Sequence, residues 1–228
     1  MRVVIMGGTS GIGLATAEKL TAAVAEVIVT GRDAGKLAAV KDRVAAAEQV
    51  DGTDEQAVTG FFERTGAFDH LVLAFSPGAL GLGPLASLGL ADIRGAFDGK
   101  LFAYLHALQK AQVTGSVTMV SAATARAAAP GTVTFAAVNG ATERIVPPLA
   151  AELAPVRVNA VAPGAVDTPW WSFVPEEARE GQFAAMSQDL PIKRVGKPGE
   201  VADAIAYLVG AEYVTGTVLP VDGGYTVA

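Results

Sequence analysis

Residues 2–20, RVVIMGGTSGIGLATAEKL, constrain the fold more than any other stretch of the chain: a short β-branched apolar run, a glycine-rich turn and an amphipathic helical pattern follow without a spacer. A strand that enters a helix through glycines is half of a mononucleotide-binding unit. Gly7, Gly11 and Gly13 form a G-x-x-x-G-x-G pattern. Without Cβ atoms at these positions the backbone turns tightly and a pyrophosphate approaches the helix N-terminus, where unpaired N–H groups and the helix dipole favour an anion. The plainer alternative is a tight strand-to-helix connection with no ligand.

The same alternation continues downstream. VVIM, EVIVT, HLVLAF, SVTMVS, VRVNAVA and VTGTVLPV read as strands between helical patterns, which predicts βαβ units and a parallel sheet covered on both faces. The expected fold class is therefore α/β, a doubly wound parallel sheet (Rossmann fold), as one domain over residues 1–228. With 51% hydrophobic residues, the chain is long enough to bury about 70% of its unfolded surface around such a sheet. AATARAAAPG reads as a loop after its strand, and neither repeats nor a domain boundary interrupt the pattern.

Composition narrows the partners. A net charge of -6 without a Lys/Arg run argues against nucleic acid or an anionic membrane. The absence of cysteine removes disulfides and thiolate ligands, and two distant histidines make no imidazole site, so no metal is expected. MRVVIM is broken at once by glycines and then by Glu18 and Lys19, which makes it a first strand rather than a leader. No run of about 18 apolar residues crosses a membrane, and a cytoplasmic protein with a small-molecule substrate is expected.

Six segments, in order and over essentially the whole chain, resemble the short-chain dehydrogenase/reductase family. Besides the glycine turn, VDGTD follows the third strand, and DHLVLAFSPG stands where the family has L-V-N-N-A-G. GSVTMVSAATARAAAPG matches the strand and loop that deliver the catalytic Ser, and ELAPVRVNAVAPGAVDTP matches the sixth strand and its P-G loop. VADAIAYLVGAEYVTGTVLPVDGGY matches the last helix and strand. The resemblance implies an NAD(P) site built from Gly7, Thr9, Ser10, Gly11, Ile12, Gly13, Ala74, Pro163, Gly164, Val166 and Thr168. Asp51 either faces adenine or helps to start the next helix, in which Thr53 and Gln56 have capping-box spacing.

The resemblance also implies a substrate lid at about 169–198, with Trp170, Trp171 and Phe173 giving it an apolar face; surface packing or a subunit contact is the alternative. A homodimer or homotetramer is implied through the helices FDGKLFAYLHALQKA and AAVNGATERIVPPLAAEL and through VLPVDGGYTVA. Pro147 and Pro148 should kink or end the second helix.

Cofactor choice is legible at the end of the second strand. In EVIVTGRDAGK, Thr30 and Gly31 precede Arg32, and no carboxylate stands at the strand tip to accept from an NAD ribose. A guanidinium there suits the 2′-phosphate of NADP(H). Lys36 is a second cation or a solvated helix residue, and Asp33 an N-cap for the following helix.

Catalysis in the family uses a Tyr as acid/base, a Lys that lowers its pKa, a Ser on the substrate oxygen and an Asn on a relay water. Alignment places Phe135 at the Tyr, Asn139 at the Lys, Ala122 at the Ser and Lys100 at the Asn. Ser121, one residue early, is expected on the other side of its strand. Asn139 retains the capacity to bond a ribose hydroxyl. Arg126, Asp167 and Lys100 are the candidate substitutes: converging, they would let Asp167 hold a cationic substrate such as an iminium, or let Arg126 and Lys100 polarise a carbonyl or bind a carboxylate. Their ordinary readings are a solvated loop residue, a cap of the turn before Thr168, and an exposed helix residue or carboxylate partner. His70 and His106 read as packing residues, and Tyr104, one turn beyond Lys100, as a core residue or a substitute acid. Two function classes fit: an NADPH-dependent oxidoreductase of an activated carbonyl, imine or alkene, or an NADP(H)-binding sensor, scaffold or non-redox isomerase or cyclase.

Overall fold

The structure is a computed structural model that describes residues 1–23 and 25–227. Seven strands form one sheet: β1 (Arg2–Met6), β2 (Glu26–Gly31), β3 (Ala46–Gln49), β4 (Phe68–Leu73), β5 (Val113–Val120), β6 (Arg157–Pro163) and β7 (Val218–Val221). Their order is β3-β2-β1-β4-β5-β6-β7, and every pairing is parallel. The described helices are α1 (Gly11–Ala22), α2 (Ala34–Val40), α3 (Glu55–Thr65), α4 (Leu90–Phe97), α5 (Ala103–Lys110), α6 (Val133–Arg144), α7 (Val146–Glu152), α8 (Glu176–Asp189) and α9 (Pro198–Gly210).

Both faces of the sheet are covered, which is why its strands are nearly continuous apolar runs rather than alternating ones. In β1, Val4 and Met6 join a core with Phe61, Phe62 and Tyr104, while Val3 and Ile5 join Leu20, Ile205 and Leu208 on the other side. The expected doubly wound sheet is therefore observed. Strand order reverses between β1 and β4, and the crevice outside the carboxyl ends of such strands is where ligands bind in this architecture.

Both helical readings are observed. FDGKLFAYLHALQKA is helical from Phe97 to Lys110, and a π-helical turn, Asp98–Phe102, joins α4 to α5 with its backbone still in the right-handed helical region. The break at the prolines is as expected, with α6 ending at Arg144 and Pro147 in the first turn of α7. The caps are partly revised. Asp33 caps α2 through Lys36 N (2.9 Å) as expected. However, Asp54 rather than the Thr53 box caps α3, accepting from Gln56 N and Ala57 N at 2.9 and 3.0 Å. Beyond β6, a 3₁₀ turn (Pro169–Phe173) leads into α8, which has no fully buried residue. No described helix is long and apolar enough to cross a membrane.

Candidate active site

The glycine turn forms a cradle with no room for side chains. Gly7 has φ +85°, its N–H donates to Thr30 O (3.0 Å), and a Cβ on it would lie 2.8 Å from Phe75 N. A Cβ on Gly13 would overlap Gly7 O. The first bond into α1 is Leu14 N to Ser10 O (3.2 Å), so the amides of Gly11, Ile12 and Gly13 precede it and, with no acceptor among the described residues, suit an anion. The Ser10 hydroxyl makes no capping bond. Across the crevice, a Cβ on Gly11 would lie 3.3 Å from Thr168 Cβ, and one on Gly164 2.8 Å from Asp222 Cα. Val166 O, in the same loop after Pro163, accepts from Trp171 Nε1 (2.9 Å).

At the tip of β2, Gly31 lies beneath Thr9, whose Cγ2 would be 2.7 Å from a Cβ at that position. Arg32 is exposed, its carbonyl accepts from Gln49 Nε2 (3.0 Å), and no ion pair of its guanidinium occurs among the described residues. Asp51 accepts from Thr53 N and Oγ1 at 3.0 and 2.7 Å, and the Thr53 amide, with a smaller contribution from nearby Arg32, holds its carboxyl below the ordinary range. Directly after Ala74, Phe75 walls this end of the trough: a Cβ on Gly52 would meet its ring at 2.8 Å. Together these features fit a phosphate-bearing dinucleotide, with a cationic group left over at the strand tip.

The catalytic side is built differently from what residue types alone imply. Lys100 lies in the π turn and is only 6% exposed, which overturns its reading as an exposed helix residue. Its Nζ donates to Asn139 Oδ1 (2.6 Å) and lies 3.5 Å from Ser121 O. Burial pushes its amine down to about 7, opposed by the charge of Glu143. Asn139, buried on α6, donates through Nδ2 to Thr124 Oγ1 (3.2 Å) and Phe135 O (3.0 Å). Both amide hydrogens are thereby committed.

Among the described residues, no hydrogen bond or ion pair joins Lys100, Arg126 and Asp167 to one another. Arg126 Nε bonds Glu143 Oε2 (2.9 Å), and the other oxygen of that carboxylate accepts from Ser121 Oγ (3.0 Å). Ser121 thus faces α6. Asp167 is exposed, its N–H donates to Gly196 O (2.9 Å), and its carboxylate makes no hydrogen bond or ion pair among the described residues. It does not cap the following turn, whose N-cap is Thr168. Phe135 meets Trp170 edge-on at 5.9 Å, and Trp170 in turn contacts Trp171 (4.9 Å) and Phe173 (5.2 Å).

The family model described as enoyl-(acyl carrier protein) reductase matches residues 7–226. The chain belongs to the short-chain dehydrogenase/reductase family. Cis-4-hydroxycyclohexanecarboxylate dehydrogenase of Sinomonas cyclohexanicum is 34% identical, over 98% of this chain and 95% of its own length. A crystal structure of a small-chain dehydrogenase in complex with NADPH is 30% identical with a TM-score of 0.87, covering 100% of this chain and 99% of that one. An actinorhodin polyketide ketoreductase variant with NADPH has a TM-score of 0.91 at 26% identity, covering 100% and 97%.

Against the short-chain dehydrogenase/reductase pattern, this chain exchanges two residue types between two helices. The lysine stands at the family's Asn position and the asparagine at its Lys position, and the two meet across the site. Tyr104 does not replace the missing acid, because it is fully buried, its OH donates to Leu73 O (2.9 Å), and burial raises its phenol far above the ordinary value. His70 of β4 pairs with Ser116 Oγ of β5 (2.8 Å), and His106 contacts Glu55 O (3.0 Å), both in packing roles. Sequence reasoning missed Thr124 and Glu143. The available signal was helical spacing: Glu143 follows Asn139 by one turn on the same face of α6.

Proposed function

We propose that this short-chain dehydrogenase/reductase is an NADPH-dependent reductase of a small, activated carbonyl, imine or alkene. The buried Lys100–Asn139 pair carries the reading. An ammonium beneath a crevice costs free energy that an apolar core residue would avoid, so its placement against the family's catalytic positions supports a task in the crevice. When bound, NADPH supplies a hydride. Gly7, Gly11, Ile12, Gly13 and Ser10 would hold its pyrophosphate, Thr9 and Arg32 the 2′-phosphate, and Asp51, Gly52 and Phe75 the adenine end. Pro163, Gly164, Val166 and Thr168 would face the nicotinamide, together with Ala74 and the remaining lone pair of Asn139 Oδ1.

Phe135 has no transferable proton, which restricts the acceptor to one that needs little acid assistance. Phe135, Trp170 and Phe173 would exclude water and present an apolar face, with 169–198 as the lid. Arg126 and Asp167 take supporting and rim positions. Exposed Phe102 and Val133, on the helices flanking the sheet, support a homodimer or homotetramer, and a cytoplasmic location is retained.

One observation favours a second reading. Phe135 is packed against Trp170 at the place of the usual acid, as in a protein that binds NADP(H) without redox turnover. A fluorescence titration with NADPH and NADH tests the shared premise: NADPH should bind at least tenfold tighter, and Arg32→Ala should remove about that much by deleting a charge-assisted bond, leaving NADH unchanged. Steady consumption of NADPH with activated ketones supports the reductase. Tight binding without consumption supports the second reading.

A further inference from the structure

We propose that Thr124 supplies the hydroxyl that binds the substrate oxygen, aligned by Lys100 through Asn139. This rests on the reductase reading. The bonding runs in one direction: Lys100 Nζ donates to Asn139 Oδ1 (2.6 Å), and Asn139 Nδ2 donates to Thr124 Oγ1 (3.2 Å). An ammonium donating to the amide oxygen strengthens the amide as a donor, and accepting that bond strengthens Thr124 as a donor in turn. The chain of bonds therefore ends on a half-buried hydroxyl whose own proton has no acceptor among the described residues.

Three hydroxyls on neighbouring elements are already committed. Ser121 Oγ donates to Glu143, Thr132 Oγ1 to Ala129 O (2.7 Å) and Tyr104 OH to Leu73 O. Thr134 Oγ1 has no partner among the described residues, but the residue is only 1% exposed and lies against Gly81. Thr124 stands two residues beyond Ala122, which lacks the family's hydroxyl, and its own hydroxyl is the one that the turn after β5 offers to a carbonyl oxygen in the crevice. The hydroxyl binds and polarises; no proton leaves it. Thr124 is the catalytic residue in this arrangement, and Asn139 and Lys100 are positioning residues.

The test separates binding from turnover. With the protein saturated by NADP⁺, which has no hydride to give, 4-fluoroacetophenone is titrated and its dissociation constant read by ¹⁹F NMR. Thr124→Ala and Thr124→Val should weaken the ketone about fivefold, the loss of one hydrogen bond, while Thr124→Ser stays within about twofold of wild type and NADP⁺ affinity is unchanged in all three. Equal ketone affinity in wild type and Thr124→Ala overturns the proposal, as does absence of ketone binding to wild type or a parallel loss of NADP⁺. Failure of the reductase reading gives a different result: the wild-type and Thr124→Ala difference persists, but NADPH is not consumed by the bound ketone.

Discussion

Lys100 makes the site's residue chemistry measurable without a substrate. In the unfolded chain its amine holds a proton up to about 10.5, whereas burial in the native state pushes the amine down to about 7. Between those values the unfolded state binds the extra proton, so stability rises with pH by about 1.4 kcal/mol per unit. The gain is complete above 10.5, is lost progressively as pH falls from there to 7, and is absent below 7. Glu143, itself shared by Arg126 and Ser121, is the charge that opposes this shift. Lys100→Met should therefore flatten the rise in urea-unfolding free energy between pH 7 and 9.5 relative to wild type, and parallel slopes in the two proteins would show that Lys100 keeps its proton throughout. The identities at 100, 122, 135 and 139 were legible in the sequence because each occupies a recognisable position in a linear pattern. Their partners were not. The Lys100–Asn139 contact spans 39 residues, and Arg126 and Ser121 meet on Glu143, a residue that no linear pattern marks.

At the scale of elements, strands were legible wherever both faces are buried, since burial selects unbroken β-branched runs such as VVIM and EVIVT. β3, AAEQ, escapes that signal because it is an edge strand of half-buried and exposed residues. The π turn escapes too, because its only compositional mark is Gly99. That glycine has a reason: a Cβ on it would lie 2.7 Å from Pro77 Cβ, a rigid ring in the loop after β4. In Gly95→Ala the new methyl meets only the flexible tip of Leu80 (2.8 Å), and in Gly181→Ala, on α8, it meets nothing within 4 Å. The expected order of urea midpoints follows from these neighbours. Gly99→Ala should lose about 1–3 kcal/mol to overpacking, Gly181→Ala should gain up to about 1 kcal/mol by restricting the unfolded chain, and Gly95→Ala should fall between them. A Gly99→Ala protein as stable as Gly181→Ala would mean that the π turn is not held against Pro77.

For the whole molecule, the parallel sheet gathers Gly7, Gly31, Asp51, Ala74, Ser121 and Gly164 at one rim, each at or just beyond the carboxyl end of its strand, so fold and cofactor trough share a single origin. Within 169–198, residues 190–196 are tied back to that rim by Gly196 N to Ala165 O (2.8 Å), Ile192 N to Gly223 O (3.3 Å) and the buried Leu190, whereas 169–189 is attached by far less. α8 buries no residue fully, and its link inward runs through Phe183 on Trp171 (5.5 Å), the bond from Trp171 Nε1 to Val166 O, and Trp170 on Phe135. A region with few buried apolar contacts opens at a small fraction of the global unfolding free energy. Amide exchange over 176–189 should therefore be much faster than in β1, β4 and β5. Trp170→Ala removes three ring contacts, each worth about 0.5–1.5 kcal/mol, and should speed exchange over 169–189 by at least about tenfold while leaving the sheet unchanged. If exchange in the sheet accelerates equally, the segment opens only with global unfolding and cannot gate the crevice. If neither changes, the aromatic contacts do not hold it, and closure over a bound substrate must come from the substrate itself.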